Sequence, residues 1–167
     1  MKLHQGFILM ELIAVIMLTG IIATFTSFFL YTGINSYMKS KNSLEGALKA
    51  QMALDRMTLE LRNIDYFTSA PTSTSVSYRS KDSLLQGSRV LKYQTGTGTG
   101  KILISVDGTD YLLLDDVSSF DLTFNYQNLN DDPSTDEVAA IKIGFNVQGV
   151  GKEFRTQIFP RNLVEEK

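Results

Sequence analysis

The chain lacks cysteine and carries a single histidine, His4, at its extreme N-terminus. The absence of cysteine excludes disulfides, thiolate metal sites, cysteine nucleophiles and a lipid-modified cysteine. Because no histidine follows residue 4, a Ser-His-Asp arrangement and a histidine-rich metal cluster are excluded from the rest of the chain. We therefore expect a protein that is not an enzyme and needs no cofactor.

The chain also lacks an excess of charge of either sign. Its 16 Lys and Arg residues and 18 Asp and Glu residues give a formal net charge of −2 at pH 7, with a pI of about 5.4. Proteins that bind nucleic acids mainly through charge carry a basic excess. The composition therefore does not predict nucleic acid as the main partner, although a local basic patch stays open.

Long apolar runs are missing from most of the chain, but residues 7–34 form one. At about 1.5 Å per residue, this run would make roughly 42 Å of helix, and the hydrocarbon core of a bilayer is about 30 Å thick. The run is therefore long enough to span a membrane. A secretory signal peptide is a poorer interpretation, because its apolar core is shorter and ends in small residues at a cleavage site.

Glu11 is the only formal charge between Phe7 and Ile34. At the centre of a membrane helix a charged side chain costs about 2.5–3.5 kcal/mol on insertion scales, and it costs less near a helix end. A plain membrane anchor leaves this residue unexplained. Either the carboxylate reaches the interface or favours the positive end of the helix dipole, or it has a charged partner.

Residues 6–12, GFILMEL, resemble the processing and N-methylation motif of type IV pilins and type II secretion pseudopilins. That motif consists of a short polar, basic leader, a glycine, a phenylalanine, three apolar residues and a glutamate. The chain matches each of these elements. The threonine or serine that usually follows the phenylalanine is absent, because Ile8 and Leu9 stand at those positions.

The resemblance implies a role for three residues. Gly6 would precede the bond that a membrane-embedded prepilin peptidase cuts, and Phe7 would become the N-methylated first residue. Glu11 would lie one helical turn from the new amine, on the same helix face. In a filament it would pair with the amine of a neighbouring subunit, because an unpaired charge in apolar surroundings is costly.

The resemblance also implies partners and a location. The partners would be prepilin peptidase, other pilin or pseudopilin subunits, an inner-membrane assembly platform and the lipid bilayer. Residues 1–6 would be the leader, residues 7–34 the transmembrane or filament-core helix, and residues 35–167 a pilin-like globular domain outside the cytoplasm. The chain would be a single-pass inner-membrane protein that later enters a filament in the periplasm or at the cell surface.

A helical pattern continues beyond the apolar run. Apolar residues recur three or four positions apart, as on one face of an amphipathic helix: Ala47, Ala50, Leu54, Met57, Leu61 and Ile64. The opposite face carries Lys49, Asp55, Arg56 and Arg62. We expect one long helix over about residues 7–64, whose half from residue 35 to 64 covers a sheet. Residues 50–63 resemble the corresponding helix of the minor pilins and the J-type minor pseudopilins.

After residue 64 the pattern changes to the alternation that is typical of strands. Strands are predicted at residues 76–80, 89–94, 101–106, 111–115, 120–126, 141–147 and 154–159, and residues 69–77 have the composition of a loop. Asp107-Gly108 and the segment 149–151 indicate hairpin turns. The predicted fold class is α+β: a long N-terminal helix, hydrophobic and then amphipathic, packed on an antiparallel sheet of about four to seven strands, as in pilins. Residues 155–162 resemble the C-termini of the minor-pilin branch.

An acidic segment separates two of the predicted strands. Its four candidate ligands for a metal ion are Asp131, Asp132, Asp136 and Glu137. Calcium prefers carboxylate oxygens of this kind, and some pseudopilins bind calcium. The spacing fits no calcium loop that we can specify, so a solvated surface turn is the favoured interpretation, with no metal bound.

Three function classes follow from these observations. The leading hypothesis is a structural subunit, a minor pilin or minor pseudopilin of a type IV pilus or a type II secretion pseudopilus, at or near the tip. The second is a tip subunit that binds DNA or an adhesion target. It would use scattered positive charges, namely Arg79, Lys81, Arg89 and Lys92. The third, a membrane-anchored enzyme, is the least favoured.

Overall fold

The computed structural model describes residues 5–81, 85–130, 136–162 and 164, with side chains from residue 9 onward. One α-helix precedes seven strands. The elements are α1 (Gln5–Arg62), β1 (Ile64–Phe67), β2 (Ser75–Ser80), β3 (Ser88–Gln94), β4 (Gly100–Val106), β5 (Thr109–Gln127), β6 (Glu137–Val147) and β7 (Glu153–Ile158). The chain divides into two compact units, Met1–Asn42 and Ser43–Lys167, and the second contains the sheet.

The sheet is a meander in which the seven strands lie in chain order. Every neighbouring pair is antiparallel, so each strand pairs with the strands that come before and after it in the chain. At the β4–β5 turn, Asp107 and Gly108 both have positive φ, 49° and 87°, as a two-residue hairpin turn requires. The predicted α+β class and the predicted Asp-Gly turn are confirmed.

The longest strand corrects the sequence prediction, because residues 111–115 and 120–126 belong to one strand, β5. The first part of β5 pairs with β4 and the second part with β6, and Val117 pairs with both neighbours. Asp116 has a φ of 54°, and its carbonyl accepts a hydrogen bond from the backbone N–H of Gln148 at 2.8 Å. The predicted break is therefore a bulge within a continuous strand.

The end of α1 is a second correction. The helix ends at Arg62 and not at Ile64, and Ile64 opens β1, a strand that the sequence pattern did not predict. At the helix end, the side-chain amide of Asn63 donates to the carbonyl of Leu59 at 3.1 Å, which satisfies one of the last helical carbonyls. Ile64 is fully buried, as its place in the apolar stripe predicted, but it belongs to a strand and not to the helix. The predicted loop at residues 69–77 is also shorter, because β2 begins at Ser75.

The core of the second unit lies between the helix and one face of the sheet. Five helical residues are buried in it: Ala50, Ala53, Leu54, Met57 and Leu61. We call four of them, Ala50, Leu54, Met57 and Leu61, the core stripe. They belong to one cluster with buried strand residues that include Leu91, Ile102, Leu122, Ile141 and Ile143. Burying a leucine or methionine side chain contributes about 1.5–3 kcal/mol. The predicted amphipathic stripe therefore faces the sheet.

The C-terminal tail that follows β7 connects three elements. The backbone N–H of Arg161 donates to the last helical carbonyl, that of Arg62, at 2.9 Å. The side-chain amide of Asn162 donates to the carbonyl of Ile64 at 2.7 Å, and the carbonyl of Val164 accepts from Val138 in β6 at 2.8 Å. The tail thus joins the end of α1 and the first strand to the start of β6.

Replacing Asn162 by alanine removes its side-chain hydrogen bond to Ile64. We expect Asn162→Ala to lower the free energy of unfolding by about 1 kcal/mol, measured by urea denaturation of the full chain in detergent. Asn125→Ala is the matched control, because Asn125 is exposed on β5. Equal effects of the two substitutions would contradict the role assigned to Asn162.

Candidate functional site

The N-terminal motif lies at the start of α1. The helix begins at Gln5, so Gly6 and Phe7 belong to its first turn. Glu11 follows Phe7 by four residues, which is about 6 Å along the axis, and its side chain is exposed. The helix therefore places the Glu11 carboxylate one turn from the backbone of Phe7, as the sequence predicted.

The part of α1 that follows Glu11 is apolar and exposed. The side chains of residues 9–34 are all exposed, up to 77% for Phe29. Two hydroxyls in this stretch are satisfied within the helix, because Thr19 and Thr24 donate to the carbonyls of Val15 and Gly20 at 2.7 and 2.8 Å. By length and composition α1 contains a stretch that can cross a membrane, and it is compatible with a single-pass anchor.

The second unit leaves another apolar surface of α1 exposed. Four side chains spaced as on a helix face, which we call the outer stripe, are 47–65% exposed: Leu44, Leu48, Met52 and Leu59. The sequence pattern placed four charged residues on the face opposite the core. Lys49, Asp55, Arg56 and Arg62 are indeed exposed, but they are interspersed with the outer stripe. This half of the helix therefore has two apolar stripes.

A buried carboxylate connects α1 to two strands. Glu60 is fully buried, and one of its oxygens, Oε1, accepts from Nη1 of Arg89 in β3 at 2.8 Å and from Nη2 of Arg56. Its other oxygen, Oε2, accepts from the hydroxyl of Tyr78 in β2 at 3.0 Å. Arg89 is itself 6% exposed, and its Nε donates to the carbonyl of Leu85 at 2.9 Å. We call Arg56, Glu60, Tyr78 and Arg89 the charge cluster.

The charge cluster was not predicted from the sequence. Glu60 lies between Met57 and Leu61 in the sequence, and both belong to the predicted apolar stripe. A carboxylate so close to an apolar stripe could have indicated a buried charge. A buried carboxylate needs partners, because an uncompensated buried charge costs about 3–5 kcal/mol. The sequence contains no information on which cation supplies the partner, since Arg89 is distant along the chain.

The charge cluster shifts the titration of Tyr78. Burial in the core raises the pKa of the Tyr78 hydroxyl far above its ordinary value of 10.0, and the negative charge of Glu60 and the hydrogen bond to it raise this pKa further. Arg89 and Arg56 oppose the shift with a smaller effect. The folded protein therefore keeps the Tyr78 proton at a pH where the unfolded chain loses it.

Two of the four basic residues considered for nucleic-acid binding are already paired. Arg89 is buried against Glu60, and Nζ of Lys92 lies 2.8 Å from Oδ2 of Asp110. The hydrogen bond from Lys92 lowers the pKa of Asp110. Arg79 and Lys81 are exposed. The four residues therefore do not form one exposed basic patch.

The acidic segment is only partly described. Asp131 and Asp132 lie outside the described residues, and Asp136 is exposed. Glu137 is fully buried, and its Oε2 accepts from the backbone N–H of Leu129 at 2.7 Å. Within residues 5–81, 85–130, 136–162 and 164, no group of three or more His, Cys, Asp or Glu side chains could hold a metal ion.

The chain was compared with known proteins at three levels. No family model, no curated protein and no solved structure matches it.

The raised pKa of Tyr78 predicts a loss of stability at high pH. Below pH 10 both states are protonated, whereas above it only the unfolded state releases the Tyr78 proton, so the free energy of unfolding falls by up to about 1.4 kcal/mol per pH unit. Tyr78→Phe has no hydroxyl to titrate. We therefore expect its free energy of unfolding, measured by urea denaturation between pH 9 and pH 11.5, to fall less steeply with pH than that of the unmodified chain.

Tyr111→Phe serves as the control for Tyr78→Phe. The side chain of Tyr111 is 54% exposed, so its hydroxyl contacts solvent in the folded state, and this variant should keep the slope of the unmodified chain. An unchanged slope in Tyr78→Phe would contradict the assignment.

Proposed function

We propose that this chain is a structural subunit of the pilin and pseudopilin type, a minor component of a type IV pilus or a type II secretion pseudopilus. One observation carries the proposal: in the apolar stretch of α1, residues 7–34, the single charge is Glu11, one turn after the Gly6-Phe7 bond, and the side chains from residue 9 onward are exposed. The motif resembles a prepilin processing site, and the helix that follows it has the length and composition of a filament core.

The physical chemistry of the N-terminus supports this proposal. A cut after Gly6 creates an ammonium group at Phe7 while the apolar helix stays attached to the rest of the chain. That cation and the Glu11 carboxylate are both costly in apolar surroundings unless they are paired. In a filament, pairing between the amine of one subunit and Glu11 of its neighbour satisfies both charges and favours one axial offset.

The exposed apolar part of α1 must be shielded from water, and the proposal provides a different environment for it before and after assembly. A helix that is apolar on all sides is not stable in water, and an apolar surface of this size marks contact with a membrane or a protein. The bilayer covers the helix before assembly, and the parallel helices of neighbouring subunits cover it afterwards. The subunit therefore exchanges lipid contacts for protein contacts when it enters the filament.

A minor position at or near the tip is the finer part of the proposal. It rests on the resemblance of residues 50–63 and 155–162 to the minor-pilin branch. Both segments make contacts that stabilise the fold. Residues 50–61 contain the core stripe, and Asn162 contacts β1. The resemblance thus lies in segments that hold the helix and the ends of the sheet together.

The first test concerns processing. When the full chain is produced with an active prepilin peptidase, mass spectrometry should find a mature protein that begins at Phe7 and carries one added methyl group on its amine. Production with a catalytically inactive peptidase is the control and should leave the chain uncut. A chain that still begins at Met1, or a cut near residue 34, would contradict the proposal.

The second test concerns Glu11. We expect Glu11→Leu to reduce the share of the chain in sheared filaments at least about tenfold, because an unpaired amine costs more than the 1.4 kcal/mol that a tenfold change represents. The measurement is immunoblotting of the filament fraction against the membrane pool. Asp55→Asn is the matched control, since Asp55 is an exposed acid on the same helix and its loss should not affect assembly. Normal incorporation of Glu11→Leu would refute the role of Glu11.

A further inference from the structure

The part of α1 in the second unit could bury either of two apolar stripes. At about 100° per residue, the core stripe and the outer stripe are centred about 155° apart around the helix. The outer stripe contains Leu44, Leu48, Met52 and Leu59, whereas the core stripe contains Ala50 in place of one large side chain. Apolar area alone therefore does not favour burial of the stripe that faces the sheet.

The charge cluster distinguishes the two stripes. Glu60 lies beside Met57 and Leu61 at the edge of the core stripe, where its carboxylate meets Tyr78 and Arg89. With the outer stripe turned to the sheet, Glu60 would point away from both strands. Tyr78 and Arg89 are almost fully buried, and they would then lack their acceptor, which is unfavourable for buried polar and charged groups.

We propose that the charge cluster selects which face of α1 packs on the sheet and so keeps the outer stripe at the surface. The inference concerns the second unit alone and does not depend on the proposed function. Buried ion pairs suit such a role, because replacing a whole pair by apolar residues often leaves stability unchanged or raised. An experiment can therefore separate the effect of the charge cluster on which face of α1 is buried from its effect on the stability of the second unit.

Close packing of small residues is the competing explanation. A Cβ atom on Gly46 would lie 2.8 Å from Cγ2 of Val150, so the helix approaches the β6–β7 turn closely at that point. If this close approach alone fixes the face, a chain without the charge cluster will keep the same face buried. The experiment must therefore replace the buried members of the charge cluster, Glu60, Tyr78 and Arg89, and leave Gly46 in place.

The absence of cysteine makes thiol labelling the direct test. Single cysteines are placed in the outer stripe, Leu48→Cys, or in the core stripe, Leu54→Cys, of the full chain in detergent. With the charge cluster intact, a water-soluble maleimide should label position 54 about 100-fold more slowly than position 48, because labelling in the core requires local opening. The same pair is then made in a background with Glu60→Leu, Tyr78→Phe and Arg89→Met.

We expect the apolar background to keep helical circular dichroism and a cooperative melt, while the ratio of the two labelling rates falls to about 10-fold or less. The control background, Lys92→Met with Asp110→Leu, removes a half-exposed ion pair and should keep the ratio. An unchanged ratio in the apolar background would overturn the proposal in favour of close packing. Loss of cooperative melting there would also overturn it, since the charges would then be needed for stability itself.

Discussion

The contact between the core stripe of α1 and one face of the sheet is the interaction on which the second unit depends. A meander of antiparallel strands with one apolar face is not stable in water unless that face is covered. The helix provides the cover through Ala50, Leu54, Met57 and Leu61, which share one buried cluster with the strands. The C-terminal tail adds hydrogen bonds at the edge of this contact, to the carbonyls of Arg62 and Ile64.

Most of the fold follows from periodicity, and the misses have physical causes. The stripe from residue 47 to 61 and the alternation in β5 and β6 report burial directly, so both could be read from the sequence. The end of the helix could not, because Ile64 satisfies a helical spacing and a strand equally well. The break predicted inside β5 was wrong because Asp116 accommodates a bulge, and a bulge has the same local signal as a turn.

Of the candidate functional residues, those close together in the sequence could be predicted, whereas those brought together by the fold could not. Gly6, Phe7 and Glu11 form a local motif, so their spacing is visible in the sequence, and the helix preserves it. The charge cluster is non-local, because Glu60 meets an arginine 29 positions away, and local patterns contain no information on such pairs. Arg89 illustrates the consequence: as a sequence feature it belonged to a scattered basic set, whereas in the fold it neutralises a buried acid.

The C-terminal tail has a consequence for the order in which the chain folds. The helix is synthesised first, but its core stripe is buried by strands as late as β6, and the carbonyl of Val164 completes the start of that strand. Contacts of such long sequence separation form slowly, because the entropy of closing the chain is lost before they are made. The second unit therefore cannot complete its hydrogen bonding until residue 164 has left the ribosome. Whatever holds the apolar N-terminus during synthesis acts on a chain whose sheet is still incomplete.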